Sequence, residues 1–322
     1  MPGRMHRLGF AVKVLGDGGL PSHDTRRWQS GPHLSVSLDR LEAILERLDA
    51  LDIRMYRMAS SLAPYATHPD LPQFHRQAEE CAERLGLVGA RVRELGIRLS
   101  FHPGQYVVLN SEREDVQVLA ARELDVMASL LDAMGCGPDA VVVLHVGGAA
   151  GGREAALGRF ERGLELVGDA GRARLVIEND DRSFSLSDVL ELHGRTALRV
   201  VWDVLHHHCH DPDGMPDGEA LRAALATWPP DVVAKIHFSS PKTAVEERRG
   251  RVVLPPLRAH ADMVDPIAFE EFLRGPADGL RFDAMLEAKA KDLALLRLRE
   301  HLLARGFAWR DGCLVRQSTT TV

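Results

Sequence analysis

The segment Ala140-Val141-Val142-Val143-Leu144-His145 is apolar at every position until it ends on an imidazole. One helical stretch later, Arg174-Leu175-Val176-Ile177-Glu178-Asn179 repeats the pattern and reaches a carboxylate. A run with no polar alternation is what a parallel strand needs when helices cover both faces of its sheet. The segment between them, Ala155–Val167, has the apolar spacing of an amphipathic helix. Together they read as one strand–helix–strand unit.

Working outward, the unit recurs. The runs His6–Val14, Ile53–Ala59 and Ile97–His102 precede it, and Leu198–Val204, Val232–Phe238 and Phe282–Ala288 follow, which makes eight. Leu38, Leu41, Ile44, Leu45 and Leu48 form one helical stripe, and Ala82–Leu95, Val116–Met134 and Leu293–Leu303 read the same way. Ser185-Leu186-Ser187-Asp188 offers a hydroxyl to cap another helix. Eight strand–helix pairs in strict order predict an α/β chain folded as a closed (β/α)8 TIM barrel. We expect a single domain over residues 1–315 and a polar tail over 316–322. The chain, at 322 residues, exceeds the ~250 typical of that fold. The surplus falls in Asp17–Pro32, His207–Pro216 and Ser239–His260. An open doubly wound sheet is the competing arrangement, but no G-x-G-x-x-G follows the first strand, although Gly16, Gly18 and Gly19 lie there.

Composition narrows the class. At 45% hydrophobic and 27% charged residues the chain can bury a sizeable core. No apolar run approaches the ~20 residues of a membrane span, and Met1–Arg7 has no apolar segment behind its charges. Cys81, Cys136, Cys209 and Cys313 are scattered, which disfavours a disulfide framework or a thiolate zinc site. A cytoplasmic protein is expected. The net charge of −6 argues against a generally basic nucleic-acid coat and leaves room for a local basic groove around an acidic metal centre.

In such a barrel, chemistry gathers at the C-terminal ends of the strands. Those ends carry His102, His145, Glu178, Asp203 with His206 after it, His237 and Glu287, and His260 lies in the loop beyond the seventh run. A lone histidine at a strand end is usually a satisfied rim residue; His68, His75, His193 and His301 stand alone and are set aside. Six converging ends differ, because buried carboxylates and imidazoles without a cation are costly to desolvate. Imidazole and carboxylate ligands without thiolate suit Mn, Zn or Fe. Their number exceeds the needs of one ion and implies two or three, with Glu178 and Glu287 as bridges. Such ions suit phosphodiester cleavage, and also the polarisation of hydroxyl and carbonyl groups in sugar isomerases or epimerases. Lys235 shares a strand face with His237 and should point into the barrel, where an ammonium is costly. A neutral amine or a carboxylated lysine would relieve that cost.

The words around these ligands resemble motifs of the ultraviolet damage endonucleases. They are His102-Pro103-Gly104-Gln105-Tyr106-Val107-Val108-Leu109-Asn110, Leu144-His145-Val146-Gly147-Gly148, Ile177-Glu178-Asn179-Asp180, Asp203-Val204-Leu205-His206-His207 and Glu287-Ala288-Lys289-Ala290-Lys291. Arg7-Leu8-Gly9 and Arg57-Met58-Ala59-Ser60-Ser61-Leu62 fit too, so the resemblance runs from about residue 6 to 291. It implies a TIM-barrel repair endonuclease, related in fold to endonuclease IV, that nicks damaged double-stranded DNA immediately 5′ to photoproducts. It implies two or three divalent ions, commonly manganese, with magnesium, zinc or cobalt as alternatives, and no obligate protein partner. Carried over by motif, the ligands are His102, His145, Glu178, Asp203, His206, His237, His260 and Glu287. Glu178 and Lys235 are implied as catalytic, Lys235 in carboxylated form. Gln105 and Tyr106 correspond to a pair that wedges into the duplex, with Arg57, Ser60 and Asn179 as further DNA contacts. Phe10 and Val14 stand where some members have a tyrosine and an asparagine.

Overall fold

The computed structural model describes residues 5–317, and within them all eight apolar runs contain a strand. In chain order these are β1 (Met5–Ala11), β2 (Met55–Arg57), β3 (Arg98–Phe101), β4 (Val141–His145), β5 (Leu175–Glu178), β6 (Arg199–Asp203) and β7 (Lys235–Phe238). A hairpin of β8 (Glu246–Arg248) and β9 (Arg251–Val253) follows, then β10 (Asp283–Leu286). β1 to β7 and β10 pair in that order, every contact parallel, and β10 returns to pair with β1. Closure leaves no open edge, so this is a (β/α)8 barrel and not an open doubly wound sheet.

The outer layer forms as the spacing predicts. Helices Leu34–Ala50, Ala82–Glu94, Glu114–Ala133, Arg153–Glu165 and Lys291–Leu303 bury their leucine-rich stripes against the outward faces of the strands. Leu186–Thr196 starts with a full capping box: Asp188 N donates to Ser185 Oγ and Ser185 N to Asp188 Oδ2. Phe10 and Val14 are buried in this outer layer, Phe10 edge-on to Tyr56.

Two hairpins were not anticipated. β11 (Phe307–Arg310) and β12 (Cys313–Arg316) fold back so that β12 runs antiparallel to the start of β1, with His6 opposite Leu314. Arg316, expected to begin the tail, therefore ends a strand, and 318–322 lie outside the described residues. The β8–β9 hairpin occupies the long connection after β7.

Strand side chains alternate, so the barrel interior is built in layers. At the N-terminal end Arg98 is fully buried, donating to Asp283, Val233 O and Asp139 O, while Arg7 also holds Asp283. Above lie Val143, Val176 and Val201 on one side and Met55 and Met285 on the other. Gly9 faces Met55, and a Cβ there would sit 2.7 Å from Met55 Cγ, so glycine leaves the volume that Met55 fills. Lys235 belongs to this layer, fully buried, with Nζ donating to Ser100 Oγ at 3.0 Å. Two residues further along each strand, the next layer is the candidate site. Register levels its members: His145 is opposite Glu178, and Asp203 is opposite His237.

Candidate functional site

Glu178 is the centre of the mouth. It ends β5 with no exposure to solvent and faces four imidazoles. Its Oε2 lies 3.0 Å from His102 Nε2 and 3.6 Å from His145 Nε2; its Oε1 lies 2.8 Å from His237 Nδ1 and 3.6 Å from His206 Nδ1. Glu287 approaches the same nitrogen of His237, its Oε1 3.3 Å from Nδ1, and pairs with Arg57. His260 donates Nδ1–H to Glu287 O at 2.8 Å, with Glu287 Oε2 at 3.6 Å. All eight expected ligands are therefore linked in one cluster.

Asp203 and His206 reach it through a helix start. Asp203 is the N-cap of the helix Val204–Cys209, and its Oδ1 accepts from His206 N at 2.8 Å, which turns His206 back toward Glu178. Asn179 fixes the strand beside it: its amide donates to Asp203 O at 3.0 Å and accepts from Asp203 N at 2.8 Å. Expected as a DNA contact, Asn179 is instead fully buried with its amide engaged. It positions Asp203, and its own carbonyl faces His206 Nδ1 at 3.1 Å.

Three overlapping triads have ligand atoms within 4.8 Å of one another: His102–His145–Glu178, Glu178–Asp203–His206 and His102–His237–Glu287. Glu178 and His102 each belong to two. The cluster fits divalent cations, for reasons visible in its hydrogen bonds. Burial pushes His102 down to about 4, outweighing the attraction of Glu178, so the ring is neutral near pH 7. A neutral imidazole carries one N–H. His102 nevertheless faces an acceptor at each nitrogen, Pro103 O at 3.1 Å and Glu178 Oε2 at 3.0 Å. One lone pair thus points at an oxygen unless a cation intervenes. His145 Nδ1, Asp203 Oδ2 and His237 Nε2 are buried polar atoms without a hydrogen-bond partner, a costly arrangement that ligation relieves. His102, His206 and His260 each set Nδ1 against a backbone carbonyl, the outer-shell bond usual for metal-ligating histidine.

The charges agree. Burial alone would raise the Glu178 carboxyl, but His237, His145 and the hydrogen bond from His102 hold it well below the usual carboxylate range. Glu287 is held low in the same way by Arg57 and His237. Burial pushes Asp203 up. His206 is pushed up to about 9: burial opposes its charge, but Asp203, Glu178 and Glu287 outweigh it. Lys235 is driven well below the ordinary lysine range by burial and by Arg57 and Arg98.

The remaining expected residues sit around the mouth. Gln105 and Tyr106 are the corners of a turn closed by Val107 N to Gly104 O at 3.0 Å, and Tyr106 is 82% exposed, not a core aromatic. Arg57 is committed to Glu287. Ser60 is half-buried in the turn after β2 and, among the described residues, has no hydrogen bond to the cluster. The histidines set aside lie outside the cluster: His193 and His301 are on helices, and His193 donates to Leu198 O at 2.8 Å. Sequence reasoning missed Ser100 beside Lys235 and the locking role of Asn179; the period of two along β3 signals the first.

Comparison with known proteins agrees with this geometry. The structure superposes on the crystal structure of SacUVDE with a TM-score of 0.80, at 32% identity, over 93% of this chain and 99% of that one. Weaker superpositions include a D-psicose 3-epimerase from Clostridium cellulolyticum H10 (12% identity, TM-score 0.50) and a 3-keto-D-glucoside 4-epimerase from E. coli (9%, 0.56), which share the fold alone. The UV DNA damage endonuclease of Bacillus cereus (strain G9842) is 31% identical over 283 residues, covering 87% of this chain and 85% of its own. That of Bacillus velezensis (strain DSM 23117 / BGSC 10A6 / LMG 26770 / FZB42) is 33% identical over 263 residues, covering 78% and 76%. A sequence model of the UV-endonuclease UvdE family matches residues 35–307, and the chain belongs to that family.

Proposed function

We propose that this chain is a metal-dependent DNA repair endonuclease that nicks duplex DNA immediately 5′ to ultraviolet photoproducts and similar distorting lesions. Hydrolysis breaks the P–O3′ bond and leaves a 3′-hydroxyl. The observation that carries the reading is the set of three overlapping triads around buried Glu178, with His102 facing an acceptor at each ring nitrogen. Two or three divalent ions, manganese foremost, would be held by His102, His145, Glu178, Asp203, His206, His237, His260 and Glu287. When bound, such ions supply Lewis-acid charge against the phosphate and lower the pKa of water. Glu178 offers one oxygen to each side of the cluster and holds it together. Arg57 balances Glu287. Tyr106 and Gln105, displayed on an exposed turn, are suited to fill the space of a displaced dinucleotide. Burial lowers Lys235 well below the ordinary lysine range and so favours the amine over the ammonium; an amine adds carbon dioxide with loss of a proton, and the resulting carbamate would place an anion below the ions.

The substrate is damaged double-stranded DNA. No helix among the described residues is long and apolar enough to cross a membrane, and a cytoplasmic site of action accords with that. A sugar epimerase is the competing reading from the fold, and the exposed Tyr106 and three overlapping triads favour cleavage over it. The test is a labelled duplex carrying one photoproduct, incubated with and without Mn²⁺. We expect a single nick 5′ to the lesion that needs the ion and is lost in Glu178→Gln. Nicking by Glu178→Gln at the parent's rate, or no nick by the parent with any divalent ion, overturns the proposal.

A further inference from the structure

The connection after β7 is far longer than joining β7 to the next helix requires, and its composition departs from the rest of the chain. Residues 242–258 carry five basic side chains (Lys242, Arg248, Arg249, Arg251, Arg258) against Glu246 and Glu247, in a protein whose net charge is −6. The hairpin turns at Arg249 and Gly250, with φ of 53° and 70°, as a two-residue turn of primed type requires. Arg249 and Arg251 are exposed there. Val252 (73% exposed), Leu254 and Leu257 are exposed beside them.

The hairpin is anchored at the metal cluster. Its base is a short ladder, with Ala261 N donating to Ser240 O at 2.8 Å and Lys242 N to Ala259 O at 2.6 Å. His260 lies in that ladder, opposite Pro241. Arg258 ties one flank to Asp181, after β5, at 3.3 Å. The strand order supplies the decisive relation. In the closed ring of eight, β3 and β7 are four strands apart in either direction, so their loops face each other across the mouth. The Gln105–Tyr106 turn follows β3 and the basic hairpin follows β7, and the cluster lies between them.

We propose that the β8–β9 hairpin is the second arm of a duplex clamp, with Arg249 and Arg251 on the DNA phosphate backbone opposite the Tyr106 wedge. This deepens the endonuclease reading and rests on it. The wedge reads the lesion. The hairpin neutralises phosphates and holds the duplex across the cluster without reading its sequence or its damage. An arginine-rich turn on an otherwise acidic protein matches a polyanion by charge, and exposed apolar side chains beside it are suited to a groove wall. A second copy of this acidic chain would gain no such match.

The test compares the parent with Arg249→Ser/Arg251→Ser, a pair at the hairpin turn and outside the ligand set, by titrating an undamaged duplex and a single-photoproduct duplex across a salt series. Each phosphate contact contributes about 0.9 to the slope of log affinity against log salt. We expect the slope to fall by about 2 on both duplexes, with the preference for damage and the manganese content unchanged. A Gly-Gly replacement of Val245–Leu254 should do the same or more. An unchanged salt slope in the double variant, with the parent binding and nicking normally, overturns the clamp and leaves the endonuclease reading intact. A parent that neither binds nor nicks the damaged duplex overturns both.

Discussion

His206 and Tyr106 are the residues where charge and exposure make the sharpest demands. Carboxylates push His206 up to about 9, so near neutral pH the ring holds a proton that a metal must displace. Apparent manganese affinity should therefore rise with pH and level off above about 9, with close to one proton released from His206 per cluster filled. Calorimetry in buffers of different ionisation enthalpy counts that proton; affinity flat from about pH 6 to 9 would contradict the assignment of His206 as a ligand. At Tyr106, stacking on a base is worth ~1–3 kcal/mol. Tyr106→Ala should thus lose about ten- to a hundredfold in preference for damaged over sound duplex, with manganese content intact. Full preference retained in Gln105→Ala/Tyr106→Ala would remove the wedge from the account.

The strands show how much of this was legible in the chain. The ligand-bearing runs could be read because each is mostly apolar and reaches a histidine or carboxylate at its C-terminal end. The period of two then fixes what lies beneath: Ser100 under His102, Lys235 under His237 and Met285 under Glu287. Asn179 could not be read the same way. It adjoins Glu178 in a motif word that suggested a DNA contact, and only the packing of β5 against β6 turns its amide onto Asp203. The plug at the opposite end was equally hidden, because Arg7, Arg98 and Asp283 come from three strands separated in sequence. Asp283 is the buried anion of Arg98, while Asp139, 3.2 Å from Arg7, stays as a partly exposed one; breaking a buried pair by removing one partner costs ~3–5 kcal/mol. Asp283→Ala should lose about that much in denaturant unfolding, and a loss under about 1 kcal/mol would mean solvent reaches the plug. Gly9→Ala forces a Cβ to within 2.7 Å of Met55 Cγ. Overpacking of this kind costs ~1–3 kcal/mol, and an unchanged denaturation midpoint would show that β1 and β2 can separate.

At the scale of the whole molecule, closure of the ring organises the function. It sets eight strand ends at one level and gathers carboxylates and imidazoles that no single strand could hold together. It also places the exposed Tyr106 turn and the basic hairpin on opposite sides of them. The hairpins were the part of the fold left unread, since β8, β9, β11 and β12 are short and carry no helix between them. The cluster at the mouth is the centre of the account, and anomalous diffraction at the manganese edge tests it most directly. Crystals grown with Mn²⁺ near neutral pH should give two or three peaks, each against one of the triads His102–His145–Glu178, Glu178–Asp203–His206 and His102–His237–Glu287, with Glu178 between neighbouring ions. No peak at the mouth, or peaks only at exposed carboxylates elsewhere, would contradict it.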